Sequence, residues 1–219
     1  MNIAIDGPAG AGKSTIAKRL AKELRFVYVD TGAMYRAIGL WLLKNGVSTF
    51  DEDETAKALP SIEVTIRYEN GNQCVILNGE DVSGEIRTED VSQAASRTSA
   101  YPAVRRHLLE LQRKLAREND VIMDGRDIGT VVLPDAELKI YLSASREVRA
   151  ERRYLEYREK GIGVTREDML REIEERDTRD MNRDTAPLRF AYDAVYLDST
   201  NFTVDEVLSV IKKLVKEKS

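Results

Sequence analysis

Short apolar segments alternate with amphipathic stretches along most of the chain. Apolar runs bounded by turn residues are typical of strands that are buried in a sheet, and such runs occupy residues 2–5, 27–29, 121–123, 138–142 and 194–197. Between several of them, apolar residues recur with the helical period, which predicts helices over residues 14–25, 31–45 and 203–216. This alternation predicts an α/β fold with a parallel sheet covered by helices on both faces.

One segment departs from this alternation. From Ile62 to Tyr68 apolar and polar residues alternate, and Asn70-Gly71 separates this run from an apolar run at residues 74–77. Alternation with a period of two around an Asn-Gly pair is typical of a β-hairpin. We therefore expect an antiparallel hairpin over residues 62–77, inserted into the α/β chain.

Residues 146–189 form a second insertion with an unusual composition. This segment holds 11 arginines and one lysine against 12 acidic residues, whereas the whole chain has 22 arginines and 12 lysines. Its helical patterns over 146–160 and 166–183 are too polar for helices that cross a core. We expect them to project from the sheet as a short helical, arginine-rich unit.

Three of these arginines, Arg176, Arg179 and Arg183, have the spacing of one helix face. An alternative is that Arg176 and Arg179 form ordinary helical ion pairs with Glu172 and Glu175, a role that lysine would fill equally well. The preference for arginine favours recognition of phosphate oxygens by the forked guanidinium group. Most of the remaining arginines, including Arg152 and Arg158, are expected on solvated, salt-bridged faces.

The most specific motif is a phosphate-binding loop, Gly7-Pro8-Ala9-Gly10-Ala11-Gly12-Lys13-Ser14, which fits the pattern G-x-x-x-x-G-K-[ST] between a strand and a helix. Its glycines let backbone N–H groups converge on phosphate oxygens, and Lys13 supplies a mobile positive charge. Ser14 or Thr15 supplies a hydroxyl to Mg²⁺. The alternative is a glycine-rich turn without a ligand. We expect the chain to bind a nucleoside triphosphate.

Two further segments place anion-binding groups at the ends of predicted strands. Thr31 and Arg36 lie at the start of a predicted helix, where free N–H groups and a guanidinium can hold an oxyanion; an ordinary helix cap with a surface arginine is the alternative. Asp124 ends a strand and could hold the water shell of Mg²⁺. Arg126 and Asp127 follow in a turn that could instead be merely salt-bridged. Two phosphate sites predict transfer between phosphorylated molecules.

The composition excludes several classes of protein. With 34 basic and 38 acidic residues the formal charge is −4, which does not favour nucleic acid or an anionic membrane as partner. A single cysteine, Cys74, and a single histidine, His107, provide neither a disulfide nor a zinc site, and His107 is expected in a surface or packing role on a charged helix. The longest apolar run, residues 37–43, is far below the roughly 20 residues of a membrane span. We expect a cytoplasmic protein without a signal peptide.

At these motifs the chain resembles the bacterial cytidylate kinases, and the resemblance extends over essentially its whole length. It is carried by residues 7–15, Asp30-Thr31-Gly32-Ala33-Met34-Tyr35-Arg36, residues 79–87, Asp124-Gly125-Arg126-Asp127 and residues 175–188. The resemblance implies transfer of the γ-phosphoryl group of ATP to CMP or dCMP, with Mg²⁺ as cofactor and a monomeric enzyme. It also implies a P-loop core of residues 1–57, 80–145 and 190–219, a CMP-binding insertion of residues 58–100 that overlaps the core in sequence, and a lid of residues 146–189.

The resemblance assigns roles to individual residues. ATP is expected to contact Gly7, Pro8, Ala9, Gly10, Ala11, Gly12, Lys13, Ser14 and Thr15, and Mg²⁺ to be held, mostly through water, by Ser14, Thr15 and Asp124. The phosphate of CMP is expected on Thr31 and Arg36, the cytosine edge on Ser96, Arg105 and Asp127, and the ribose on Asp180. Phosphate contacts are also expected from Arg126, Arg176 and Arg183. These three arginines and Lys13 are the expected catalytic residues.

The acceptor in such a reaction is already anionic, so no general base is needed, which agrees with the lack of a catalytic histidine pattern. Two other functions stay open from the residues alone. One is another small-molecule P-loop kinase that acts on UMP, AMP or a non-nucleotide acceptor. The other is a non-catalytic module that binds ATP and signals through a partner.

Overall fold

The fold is that of a parallel α/β protein, here in a computed structural model that describes residues 1–218; Ser219, assigned above to the core, lies outside them. The strands are β1 (Asn2–Asp6), β2 (Val27–Asp30), β3 (Val64–Glu69), β4 (Asn72–Leu77), β5 (Glu80–Asp81), β6 (Val121–Asp124), β7 (Leu138–Ser143) and β8 (Val195–Asp198). The helices are α1 (Lys13–Leu24), α2 (Thr31–Lys44), α3 (Glu52–Ala58), α4 (Glu89–Thr98), α5 (Pro102–Glu118), α6 (Arg146–Glu159), α7 (Arg166–Asn182) and α8 (Val204–Lys218).

Five of these strands form one parallel sheet in the order β2-β6-β1-β7-β8. Because successive side chains of a strand face opposite sides, Ile3 and Ile5 of β1 pack in a cluster with α1 and α8. Ala4 belongs to the cluster on the opposite face, together with residues of α2 and α5. The predicted sheet with helices on both faces is confirmed, and each of the five predicted strands is present to within about a residue at its ends.

The predicted hairpin is also present, as a small separate sheet. Strands β3 and β4 pair antiparallel from Val64 opposite Leu77 to Glu69 opposite Asn72, and β5 adds a short third strand. Asn70 and Gly71 both have positive φ angles, 52° and 75°, which is the conformation that an Asn-Gly turn supplies at little cost. This sheet packs its apolar residues into the same cluster as α2.

The arginine-rich segment forms the predicted helix pair, α6 and α7. A capping box starts α7: Asp168 N–H donates to the Thr165 hydroxyl, and Thr165 N–H donates to the Asp168 carboxylate. The two helices share a small apolar cluster of their own, formed by Ala150, Tyr157, Met169 and Ile173. This cluster is separate from those on the sheet, so the helix pair has an apolar core of its own.

Close helix packing brings α4 onto α2. A Cβ atom at Gly39 of α2 would lie 3.0 Å from the backbone nitrogen of Ala95, so a side chain there would push the two helices slightly apart. The packing places Ser96 of α4 near the carboxyl end of the main sheet, where the cavity described below opens. No helix within residues 1–218 has the length and hydrophobicity needed to cross a bilayer.

Candidate active site

A cavity of about 670 Å³ opens at the carboxyl ends of the strands, which is where ligands bind in open α/β sheets. It is bounded by the phosphate loop, the start of α2, the turn after β6, α4 and the helix pair. All the site residues expected from the sequence line this cavity, with the exception of Gly7 and Pro8. Predicted site residues separated by up to 174 positions, from Ala9 to Arg183, therefore meet around one space.

The phosphate loop is held in shape by close backbone contacts. Gly7 has a φ angle of 147°, and a Cβ atom there would overlap the carbonyl oxygen of Leu142 in β7, at 1.9 Å. Lys13 is buried, and its ammonium group donates to the backbone carbonyl of Pro8 at 2.7 Å. Burial, followed by the nearby charge of Arg126, lowers the pKa of Lys13 well below its usual value. A phosphate brought into the loop would supply the negative charge that this lysine lacks.

Ser14 and Asp124 form a pair at the mouth of the loop. The Ser14 hydroxyl donates to Asp124 Oδ2 at 2.7 Å, and the Tyr28 hydroxyl donates to Oδ1 at 3.1 Å. Burial, and then the nearby Asp30 carboxylate, raises the pKa of Asp124 to about 6. A divalent cation fits this site, because it would balance a buried carboxylate and take a hydroxyl oxygen as a further ligand. Thr15 lines the cavity too, but its hydroxyl makes no contact with Asp124.

The start of α2 differs in detail from the prediction. Asp30, not Thr31, caps the helix by accepting the Ala33 N–H at 2.9 Å, while the Thr31 hydroxyl donates to the backbone carbonyl of Asp124 at 2.8 Å. Arg36 is no surface arginine: it donates to Asp30 at 3.0 Å and lines the cavity. Its buried Nε has no hydrogen-bond partner within residues 1–218. The segment thus presents a guanidinium with unused donor capacity.

Opposite the phosphate loop lies a buried charged cluster of three residues. Asp127 accepts from Arg105 through one carboxylate oxygen and from Arg183 through the other, the latter at 3.2 Å. All three side chains are less than a tenth exposed. Arg183 also donates to the carbonyl of Ala186. Arg183 also lies 3.9 Å from Asp180, which binds Arg126, so three guanidinium groups share two carboxylates and leave excess positive charge in this part of the cavity.

Two more arginines reach the same space. Arg126 donates to Asp180 at 2.8 Å. Arg176 lines the cavity, yet within the described chain its guanidinium has no hydrogen bond or ion pair. Burial, and then the charge of Arg126, lowers the pKa of Arg176 to about 10. A partly buried arginine that has no salt bridge of its own gains a partner when a phosphate enters the cavity.

The alternative of simple helical ion pairs is wrong for this face of α7. Glu172 binds Arg153 of α6 at 2.8 Å and makes no pair with Arg176. Arg179 donates to the Ser96 hydroxyl of α4 and makes no pair with Glu175. The arginine face of α7 is therefore turned towards the cavity and α4.

The expectation that Arg152 lies on a solvated, salt-bridged face is also wrong. It is half-buried beside the phosphate loop and donates to the carbonyls of Ala11, at 3.3 Å, and Ser199, at 3.0 Å. Its partners are backbone groups of segments distant in sequence, so helical spacing gave no signal for this position. Arg158, in contrast, is exposed as expected.

A buried ion pair that holds the phosphate loop was also missed. Arg149 of α6 binds Asp177 of α7 at 2.6 Å. Together they hold both backbone groups of Ala9, since Arg149 donates to its carbonyl at 2.8 Å and its N–H donates to Asp177 at 3.1 Å. The helix pair is thereby joined directly to the loop that would bind a triphosphate. The high proportion of arginine in the segment was the only sequence signal for this contact.

Comparison with known proteins agrees with these motifs. The family model described as cytidylate kinase matches residues 3–217. A cytidylate kinase from Caldicellulosiruptor saccharolyticus is 52% identical over 214 residues, covering 98% of this chain and 95% of that protein. One from Lactobacillus johnsonii is 48% identical over 218 residues, covering 100% of this chain and 95% of that protein. A solved structure of an uncharacterized protein from Eubacterium ventriosum covers 99% of this chain and 98% of its own, with a TM-score of 0.52 and 14% identity, which is a likeness of fold alone.

Proposed function

Because the chain belongs to the cytidylate kinase family, we propose that it transfers the γ-phosphoryl group of ATP to CMP or dCMP, giving ADP and CDP or dCDP. The observation that carries the proposal is the placement of Lys13 and the phosphate loop across one cavity from the buried cluster of Arg105, Asp127 and Arg183. One side of the cavity suits a triphosphate. The other suits a monophosphate with a base that presents an amino group.

On the donor side, the loop of residues 7–15 binds the phosphates of ATP through its N–H groups and the N-terminus of α1. Lys13 leaves the Pro8 carbonyl and moves onto the β- and γ-phosphates. Arg152 and the segment from Ser199 to Thr203 border the cavity beyond the start of α1, and they hold the adenosine end of ATP. Ser14 and Asp124 would hold Mg²⁺, mostly through water.

The arrangement of acidic side chains bears on how a magnesium ion could be held. Within residues 1–218 no group of three or more His, Cys, Asp or Glu side chains is arranged to hold a metal ion. A cation at Ser14 and Asp124 would therefore take most of its ligands from water and phosphate oxygens, which is usual for Mg²⁺. When bound, it supplies positive charge to the transferred phosphoryl group.

On the acceptor side, Thr31 and Arg36 bind the phosphate of CMP. The Asp127 carboxylate accepts from the cytosine amino group, as acidic side chains do towards this base, with Ser96 and Arg105 completing the recognition. Asp180 binds the ribose. Uracil presents a carbonyl oxygen in place of the amino group, so it would face Asp127 with two acceptors and be rejected.

The transfer itself requires alignment and charge neutralisation. The attacking atom is an oxygen of the CMP phosphate, which is already anionic, so no side chain has to remove a proton. Lys13, Arg126, Arg176 and Arg183 neutralise the charge that is spread over the transferred group. Arg176 is the clearest of these, because it lines the cavity and, within residues 1–218, its guanidinium has no salt bridge.

Residues 146–189 act as a lid, residues 58–100 as the CMP-binding insertion, and residues 1–57, 80–145 and 190–219 as the core. A lid that brings Arg176 and Arg183 over the phosphates also excludes water, which would otherwise hydrolyse ATP. The contact of Arg149 and Asp177 with Ala9 gives this unit a fixed point on the phosphate loop. We place the enzyme in the cytoplasm, where it acts as a monomer.

A coupled assay of ADP release tests the proposal with CMP, dCMP, UMP and AMP as acceptors. We expect CMP and dCMP to be used at least tenfold more efficiently than UMP or AMP, and Lys13→Ala to lose nearly all turnover while remaining folded. Equal use of the four nucleotides would favour a different small-molecule kinase. Tight ATP binding without turnover on any acceptor would favour a non-catalytic module.

A further inference from the structure

Asp6 is a buried carboxylate that the transfer described above does not use. It ends β1, directly before Gly7 of the phosphate loop, and is 5% exposed. Its two oxygens accept from consecutive backbone amides, Oδ1 from Ile128 at 2.8 Å and Oδ2 from Gly129 at 2.7 Å. Two charge-assisted bonds to neighbouring amides fix both the position and the orientation of the segment that carries them.

The space beside the Gly129 amide is bordered by Asp6 and Lys139. A Cβ atom on Gly129 would lie 3.4 Å from Asp6 Oδ2 and 3.2 Å from the Lys139 side chain on the other side. Residues Ile128–Val132 form a single turn of π-helix, a feature often found at functional sites. Burial raises the pKa of Asp6 to about 6, although the two amides oppose this rise. Burial of the Asp6 carboxylate thus has a free-energy cost, which its two hydrogen bonds to the amides partly offset.

The residues just before the two amides are those that face the cavity. Asp127 lies between Arg105 and Arg183, and Arg126 lies against Asp180. The main chain of Asp6 leads into the phosphate loop, while its side chain holds the turn of Arg126 and Asp127. One residue thus connects the donor side of the cavity to the acceptor side.

We propose that Asp6 is a positioning residue that holds Arg126 and Asp127 at the separation from the phosphate loop that phosphoryl transfer requires. This inference rests on the proposed function. Displacement of a reacting group by about 1 Å can lower a rate about 100-fold. The Asp6 side chain holds only the turn that carries Arg126 and Asp127. Loss of this contact should therefore weaken the use of CMP far more than the binding of ATP.

The test is Asp6→Asn, which keeps the size of the side chain but offers one acceptor oxygen to two N–H donors. We expect the KM for CMP to rise about tenfold or more, and the ratio of kcat/KM for CMP over UMP to fall at least several-fold. The dissociation constant of a non-hydrolysable ATP analogue should change by less than twofold. Gly129→Ala adds a methyl group 3.2 Å from the Lys139 side chain and 3.4 Å from Asp6 Oδ2, and it should change CMP and ATP binding in the same pattern and to a smaller extent.

Asp193→Asn is the matched control. Asp193 binds the buried ammonium of Lys139 at 2.8 Å, and the Lys139 side chain lies beside Gly129. The Asn variant therefore removes an ion pair next to the same turn, while Asp6 still accepts from the two amides. We expect this variant to have a lower melting temperature and an unchanged KM for CMP.

The proposal is overturned if folded Asp6→Asn keeps the wild-type KM for CMP, if ATP analogue binding weakens by the same factor, or if Asp193→Asn raises the KM equally. Should Asp6→Asn not fold, an unchanged KM for CMP in Gly129→Ala overturns it. These results presuppose a wild-type protein that phosphorylates CMP. Absence of that activity would refute the proposed function instead.

Discussion

Replacing Asp124 by Asn should stabilise the metal-free protein while it removes activity. Burial and the nearby Asp30 raise the pKa of Asp124 from 3.8 to about 6. Since a pKa shift of one unit corresponds to about 1.4 kcal/mol, the ionised carboxylate costs about 3 kcal/mol of folding free energy at pH 7. Asn has the same shape, and its amide can accept from Ser14 and donate to the Tyr28 hydroxyl.

The expected gain is smaller than this cost, because the two hydrogen bonds of the amide are weaker than those of a carboxylate. A net gain of about 1 to 3 kcal/mol corresponds, in a protein of this size, to a rise of roughly 2 to 10 °C in Tm. The measurement is thermal unfolding at pH 7.5 in the presence of a chelator. Turnover of CMP should fall about 100-fold or more in the same variant.

The pH dependence distinguishes this explanation from a general improvement in packing. A carboxyl group whose pKa is raised on folding binds more protons in the folded state, so wild-type stability decreases as the pH rises from about 4 to 6. Asn does not titrate. The advantage of the variant should therefore be greatest above pH 6 and shrink towards zero near pH 4.

Asp135→Asn, at an exposed position, is the control and should leave Tm nearly unchanged at every pH. A lower Tm for Asp124→Asn at pH 7.5 would refute the reasoning. So would a gain of the same size at pH 4 and pH 7.5.

Three further variants test other contacts of the site. Arg183→Ala should lower kcat with CMP about 100-fold, because it removes a charged donor from the transferred group; near-normal kcat in the coupled assay would show that the assignment is wrong. Arg152→Ala should raise the KM for ATP several-fold and leave the KM for CMP unchanged. Arg158→Ala, at an exposed position, is the control. Equal kinetics in the two variants would show that Arg152 does not contribute to ATP binding. Arg149→Ala should lower the free energy of unfolding by about 3 to 5 kcal/mol in urea titrations, since it leaves Asp177 buried without its partner; a loss below about 1 kcal/mol would contradict this role.

The parts of the fold that were predictable depend on local signals. The Asn70-Gly71 turn, the phosphate loop and the polar helix pair are each encoded within one stretch of sequence, and all are present in the structure. The catalytic and binding roles of individual residues came from the resemblance to a family. The structure brings those residues around one cavity, and their roles stay predictions until variants are measured.

What the sequence did not predict depends on contacts between distant segments. Arg152 meets Ser199, and Asp6 meets Ile128 and Gly129 across the sheet. No periodicity or motif connects such positions, because the contact is created only when strands align in the order β2-β6-β1-β7-β8. Helical spacing alone suggested surface ion pairs for Arg176 and Arg179, whereas tertiary packing directs both side chains towards the cavity and α4.

Transfer of a radiolabelled γ-phosphate from ATP is the most direct test of the central claim, that one cavity joins an ATP site to a cytosine nucleotide site. The label should appear in CDP when CMP is the acceptor, in amounts equal to the ADP formed, and little should appear in inorganic phosphate. Label found mainly in inorganic phosphate, or in UDP as readily as in CDP, would contradict the account.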